Sequence, residues 1–330
     1  ENFNNDEHLY VYFFDDNVVK YEIPEKENVL NICNRYLGKR NFFALGSILT
    51  PLMKKAERIY LHGLFSDDLI NYLFWHKRFL SKCYWLMWGG DLYGCMERSY
   101  SIRNFYSLYC RRSVIRKIAF FVTYVYGEFE LAVKKCNFNG EYLECFLYPN
   151  NFFDKDDFAV EKHKGVNILV GNSADPSNNH FEIFDRLLEF RDSDMQIYVP
   201  LSYSSRKYAK AVEKRGYELF GDKFRPLMEY MPKEEYMRLL DSIDVAVFAH
   251  RRQQAMGNII SLLGMGKKVY MRSDITPWFF FEKIGIKVYD FQDFNLEPIE
   301  NHVLVENRRR VANYFSKANY IEQLKRLFGK

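Results

Sequence analysis

Short apolar runs alternate with longer amphipathic ones along the whole chain. In the first half, strand-like runs fall at residues 9–14, 58–62, 82–88, 119–123 and 142–147, and helical or polar stretches such as 67–80 and 126–135 follow most of them. In the second half, strands are expected at 166–170, 195–200, 245–248, 268–271 and 286–288. Helical patterns at 178–190, 205–215, 232–241, 254–263 and 276–284 separate them, and the C-terminus reads as helical over 301–329. Strand, helix, strand in repetition predicts parallel sheets with helices on both faces. The polar, charged stretch 150–164 is the natural linker. The expectation is an α/β protein of two Rossmann-like lobes facing a cleft, 1–155 and 156–330, with a helical C-terminus.

Composition narrows the class. At 330 residues, 48% hydrophobic and 27% charged, the chain is neither disordered nor fibrous and has room for two domains. Its 47 Lys and Arg against 43 Asp and Glu give a net charge of +4, too small for a duplex nucleic-acid binder. The longest apolar runs fall well short of the ~20 residues that span a bilayer. No signal peptide is evident, and the opening at Glu1 without Met suggests that a few preceding residues have been removed. Cys33, Cys83, Cys95, Cys110, Cys136 and Cys145 show no CxxC or zinc-finger spacing. They are expected to be reduced, buried thiols of a cytoplasmic protein.

Ligands of open parallel sheets bind where strands end and helices begin. One such place is Gly171-Asn172-Ser173-Ala174-Asp175-Pro176-Ser177-Asn178-Asn179, where Gly171 admits close backbone approach and a helix start, capped by Ser177 or Asn178, suits a phosphate. A second is His250-Arg251-Arg252-Gln253-Gln254 with Gly257 and Asn258, whose cations and amides suit a pyrophosphate and sugar hydroxyls. A third is Trp88-Gly89-Gly90-Asp91-Leu92-Tyr93, where Asp91 is either a general base or a helix N-cap. The fourth, Glu229-Tyr230-Met231-Pro232, offers a nucleobase an aromatic ring and a sulfur, or simply packs.

GxGxxG after the first strand, GxxxxGK[ST], HExxH and GxSxG are all missing, which disfavours a nicotinamide dehydrogenase and a P-loop NTPase. Asp192-Ser193-Asp194 precedes a strand rather than following one, and reads as a turn. The acid-free segment 98–117 interleaves Arg98, Arg103, Arg111, Arg112, Arg116 and Lys117 with aromatic residues. It suits an anionic membrane surface, or equally a basic helix packed through its aromatic face.

Taken together, Leu169-Val170-Gly171-Asn172-Ser173 with Asn179-His180, the Trp88–Tyr93 turn, His62-Gly63, and Arg252-Gln253-Gln254 with Gly257 resemble glycosyltransferase family 56. The likeness runs from about Ile59 to Tyr289 and keeps the order of the motifs. The resemblance implies a GT-B fold, with the nucleotide sugar on the C-terminal lobe and the acceptor on the N-terminal lobe. It also implies metal-independent transfer of Fuc4NAc from TDP-Fuc4NAc to lipid II, in enterobacterial common antigen assembly.

On that basis Gly171, Asn172, Ser173, Asn179, Glu229, Tyr230, Met231, Arg251, Arg252, Gln253, Gln254, Gly257 and Asn258 are expected to bind the donor. Asp91, or failing it His62, is expected to take the acceptor proton. Gly89, Gly90, Tyr93, Arg111, Arg112 and Arg116 would face the acceptor or the inner face of the cytoplasmic membrane. No cofactor, metal or nucleic acid is expected. A nucleotide-sugar epimerase and a non-catalytic sugar- or nucleotide-binding module of the same fold are the alternatives.

Overall fold

The structure is a computed structural model that describes residues 7–14, 26–33, 41–96, 102–146, 153 and 163–329. The expected boundary at 155/156 and most of the linker lie outside these residues. The chain divides into two compact units, Glu1–Thr123 with Phe129–Leu143, and Tyr124–Glu128 with Glu144–Lys330.

In the first unit, β1 (Tyr10–Phe14) and β2 (Val29–Cys33) pair in parallel. β3 (Ile59–His62), β4 (Cys83–Leu86), β5 (Phe120–Val122) and β6 (Glu141–Leu143) form a second parallel sheet in that order. Every residue of β4 is buried, as the continuous run CYWL requires of a strand covered on both faces. Trp85, Phe121 and Phe138 anchor the core, and helices Asp67–Trp75 and Ile102–Ile115 pack on it. Cys95 and Cys136 form a disulfide across 41 positions, with Cα atoms 6.4 Å apart, which corrects the expectation of six free thiols. Cys83, Cys110 and Cys145 are buried thiols, as expected.

The second unit is a six-stranded parallel sheet made of β7 (Val166–Val170), β8 (Met195–Pro200), β9 (Phe224–Leu227), β10 (Val245–Phe248), β11 (Lys268–Met271) and β12 (Tyr289–Asp290). Their spatial order is β12-β11-β10-β7-β8-β9. Alternate side chains feed two cores: Leu169, Ala246 and Phe248 enter one, while Ile168, Val170 and Val247 enter the other. Strand order therefore reverses between β7 and β10, which is the switch point of a doubly wound sheet.

Several boundaries move. The strand expected at 286–288 is displaced to Tyr289–Asp290, because Ile286 N donates to Phe281 O and Lys287 N to Asn307 Oδ1 instead of to a ladder. The helix expected from 178 begins at His180. Residues 176–178 form a 3-10 turn capped by the Asp175 side chain, so Ser177 and Asn178 are not helix caps.

Candidate active site

The loops after β7 and β10 meet at the switch point, and hydrogen bonds knit them together. Asn178, fully buried, is the hub. Its Oδ1 accepts from Asn172 N at 2.8 Å and lies 2.9 Å from His250 Nε2. Its Nδ2 donates to Ser173 O, Ser173 Oγ and Asp175 O at 3.0–3.1 Å. Asn179, held in the left-handed region at φ 53°, donates from Nδ2 to Ala249 O at 2.7 Å. Gly171 sits at φ +66°, and a Cβ there would lie 2.6 Å from Asn178 Oδ1 and 3.0 Å from His180 Nε2. Only glycine fits.

Around this hub the polar side chains are shared between loops. Ser177 Oγ donates to Gln254 Oε1 at 2.8 Å, and Gln254 Nε2 to Asn172 Oδ1 at 3.3 Å. Asn172 Nδ2 donates to the hydroxyl of Tyr203, from the loop after β8. Burial by itself would raise Asp175, but hydrogen bonds from Ser177 and Ser204, with the nearby Arg252 charge, outweigh it and hold the carboxyl below its usual value. His180 and His250 are both buried. Desolvation drives His180 down to about 4. Desolvation first, then the Arg252 and His180 charges, drives His250 down to about 3. Both are neutral at pH 7. Two buried atoms near this hub, His180 Nε2 and Gln253 Oε1, have no hydrogen-bond partner among the described residues.

Helix Met256–Gly264 starts here behind Ala255, a left-handed N-cap that supplies no side-chain hydrogen bond. No side-chain cap therefore competes for its first N–H groups, the groups with which a helix N-terminus holds an anion. Arg251, 73% exposed at its side chain, approaches Glu182 at 3.7 Å, and Arg272 anchors the same Glu182 while donating to Ala249 O. Asn258 donates to Tyr236 OH. Gln253 is buried, and its Oε1 is one of the unpartnered atoms. Glu229, Tyr230 and Met231 follow β9 at the sheet edge, and no hydrogen bond among the described residues joins them to the hub. Asp175, Asn178 and His250 lie in the loops the sequence singled out but not in the expected donor-binding set, and Tyr203, after β8, lies outside those loops. The polar density of the two loops was the available signal.

The first unit builds its own strand-end site. Gly63 N donates to Leu86 O, so the loops after β3 and β4 are neighbours. Asp91 is 1% exposed. Its Oδ2 accepts from Trp85 Nε1 at 2.6 Å and Leu64 N at 3.1 Å, and its Oδ1 from Trp88 N at 3.1 Å. Burial raises the carboxyl, and these three donors oppose the rise. Asp91, expected as the acceptor base, thus ties the two loops together through both of its oxygens. At Gly90 the Phe65 ring lies 3.5 Å from where a Cβ would stand, an ordinary van der Waals contact. His62 stays exposed at the end of β3, while the protein around it desolvates the imidazole and lowers its pKa. Arg111 also turns inward, donating to Leu64 O and, at 3.2 Å, to Asp67. Tyr93 is half-buried, and Arg112 and Arg116 are exposed.

This architecture is shared with solved sugar transferases. The chain is similar to a glycosyltransferase from Rickettsia africae, at 14% identity and TM-score 0.59, covering 92% of this chain and 85% of that one. It is also similar to HepE from Anabaena in complex with UDP and glucose, at 9% identity and TM-score 0.65, covering 91% and 86%. A third likeness is to the E. coli trehalose-6-phosphate structure bound with UDP-2-fluoro glucose, at 10% identity and TM-score 0.62, covering 97% and 92%. At such identities the likeness establishes the fold, and the fold is GT-B. The chain is a glycosyltransferase. It belongs to the 4-alpha-L-fucosyltransferase family, glycosyl transferase group 56, whose sequence profile matches residues 13–324.

Proposed function

We propose that this chain transfers a 4-acetamido-4,6-dideoxyhexose, Fuc4NAc or a close relative, from a TDP-sugar to a polyprenyl-pyrophosphate-linked saccharide in surface polysaccharide synthesis. The work would be done without a metal, by a peripheral protein on the cytoplasmic face of the membrane. The observation that carries the donor half is the uncapped N-terminus of helix Met256–Gly264 beside Arg251 and Arg252, at the switch point of the sheet.

The chemistry follows from charge. As the acceptor oxygen bonds to the anomeric carbon, the bond from that carbon to the diphosphate oxygen breaks and the nucleoside diphosphate leaves with both electrons. Helix amides and the two guanidiniums stabilise that departing charge in place. The acceptor hydroxyl loses its proton to His62, whose lowered pKa keeps the imidazole neutral, and so able to accept one, at pH 7. Asp91 positions the loops rather than the proton.

Calorimetry with TDP, UDP and GDP tests the donor half. TDP is expected to bind most tightly, and binding should survive removal of divalent ions. If none of the three binds, with or without divalent metal, the donor assignment falls.

A further inference from the structure

We infer that Phe65 and Trp88 form an aromatic platform on which a pyranose ring of the acceptor stacks, beside His62. Both rings stand at strand ends and are conspicuously open, Phe65 at 58% and Trp88 at 53% exposure. They converge on one glycine: a Cβ on Gly63 would lie 2.5 Å from the Phe65 ring and 3.4 Å from the Trp88 ring. Gly63 directly follows His62 and sits at φ +77°, a conformation that L side chains rarely adopt.

The backbone that carries the rings is tied on both sides. Leu64 N and Trp88 N donate to the two oxygens of Asp91, and Leu64 O accepts from Arg111. The rings are therefore presented by a fixed frame, and binding against them costs little ordering. The same bonds spend the Asp91 carboxylate and the Arg111 guanidinium on protein and leave the two rings facing outward at the loop ends. What is left suits a ligand that is neutral where it touches. It needs an apolar face for the rings and a hydrogen-bonding rim for water and the imidazole. A pyranose has both, because its axial C–H bonds make one flat apolar face while its hydroxyls lie round the edge. Large rings left open at a strand-end site are themselves a mark of binding.

The inference rests on the acceptor half of the proposed function, and its test keeps the two apart. Saturation-transfer NMR is run on the full chain with N,N′-diacetylchitobiose as the soluble saccharide and TDP in the same tube. The ring protons of chitobiose should take up saturation with the wild type. That signal should fall at least five-fold in Phe65→Ala and Trp88→Ala and persist in Trp88→Phe, while the TDP signal stays constant in all. Thermal unfolding checks that each exposed-ring variant is folded. Absence of chitobiose saturation in the wild type, or equal saturation in both alanine variants, overturns the platform. Loss of the TDP signal alone, with a Trp88-dependent chitobiose signal intact, overturns the donor reading and leaves the platform standing.

Discussion

His62 and Asp91 stand at the ends of adjacent strands, and the proposed mechanism gives them opposite work. The Asp91 carboxylate accepts from an indole and two backbone amides and so ties two loops, whereas the exposed imidazole of His62, with its lowered pKa, is neutral at pH 7 and can take a proton. His62→Ala should therefore lower turnover by ~10²–10⁴, the usual worth of a general base, with nucleotide affinity unchanged. In the wild type, activity should fall as pH drops through the folded pKa of His62, which lies below 6.5. Steady-state rates across pH 5–8 check both points, and near-normal turnover of the variant would remove His62 from the mechanism. The Trp-Gly-Gly-Asp turn was visible in the sequence, and so was the choice between base and cap. The deciding partners, Trp85 and Leu64, are set by the fold, and no local pattern announces them.

At the scale of elements, the strands buried on both faces were the legible ones. β7, β8, β10 and β11 were placed with their observed ends, because runs such as VAVF leave periodicity little to decide. Breakers hid others. Pro226 and Arg225 disguise the edge strand β9, and Pro51 and Gly46 interrupt helix Asn41–Lys55. Helix Ile102–Ile115 shows how composition misleads about faces. Arg111 braces a loop, while Arg112, exposed although its Nε donates to Cys95 O at 3.1 Å, and Arg116, just past the helix, are spaced from exposed Phe105 and Tyr109 as one helical stripe. Trp75, exposed on the neighbouring helix, extends the aromatic surface. Membrane contact through this stripe predicts salt-sensitive binding to anionic vesicles, with Arg112→Glu/Arg116→Glu sedimenting several-fold less than the wild type. Equal sedimentation would leave the stripe a solvated face.

For the molecule as a whole, the neutral histidine pair of the loops after β7 and β10 links stability to pH. The unfolded chain binds protons on both near 6.5, while the folded one resists until about 4 for His180 and about 3 for His250. Between those values the unfolded state holds more protons, so stability is lost as pH falls. The slope is about 1.4 kcal/mol per pH unit for each group, and full stability returns above 6.5. Urea titrations should give a lower midpoint at pH 5 than at pH 7, with the difference reduced in His250→Asn. Equal midpoints at the two pH values would contradict the assignment.

The strand order has a consequence for synthesis. β7, β8 and β9 are made in succession and can pair at once, but β7 sits in the middle of the finished sheet, and its other neighbour, β10, is reached only at Val245. Until the ribosome passes that point, one side of an Ile-Leu-Val strand offers unpaired N–H and C=O groups and bare apolar side chains to any strand that comes near. The nascent half-sheet should be the stage at which this chain most needs a chaperone, and slowing translation just before Val245 should raise its aggregation.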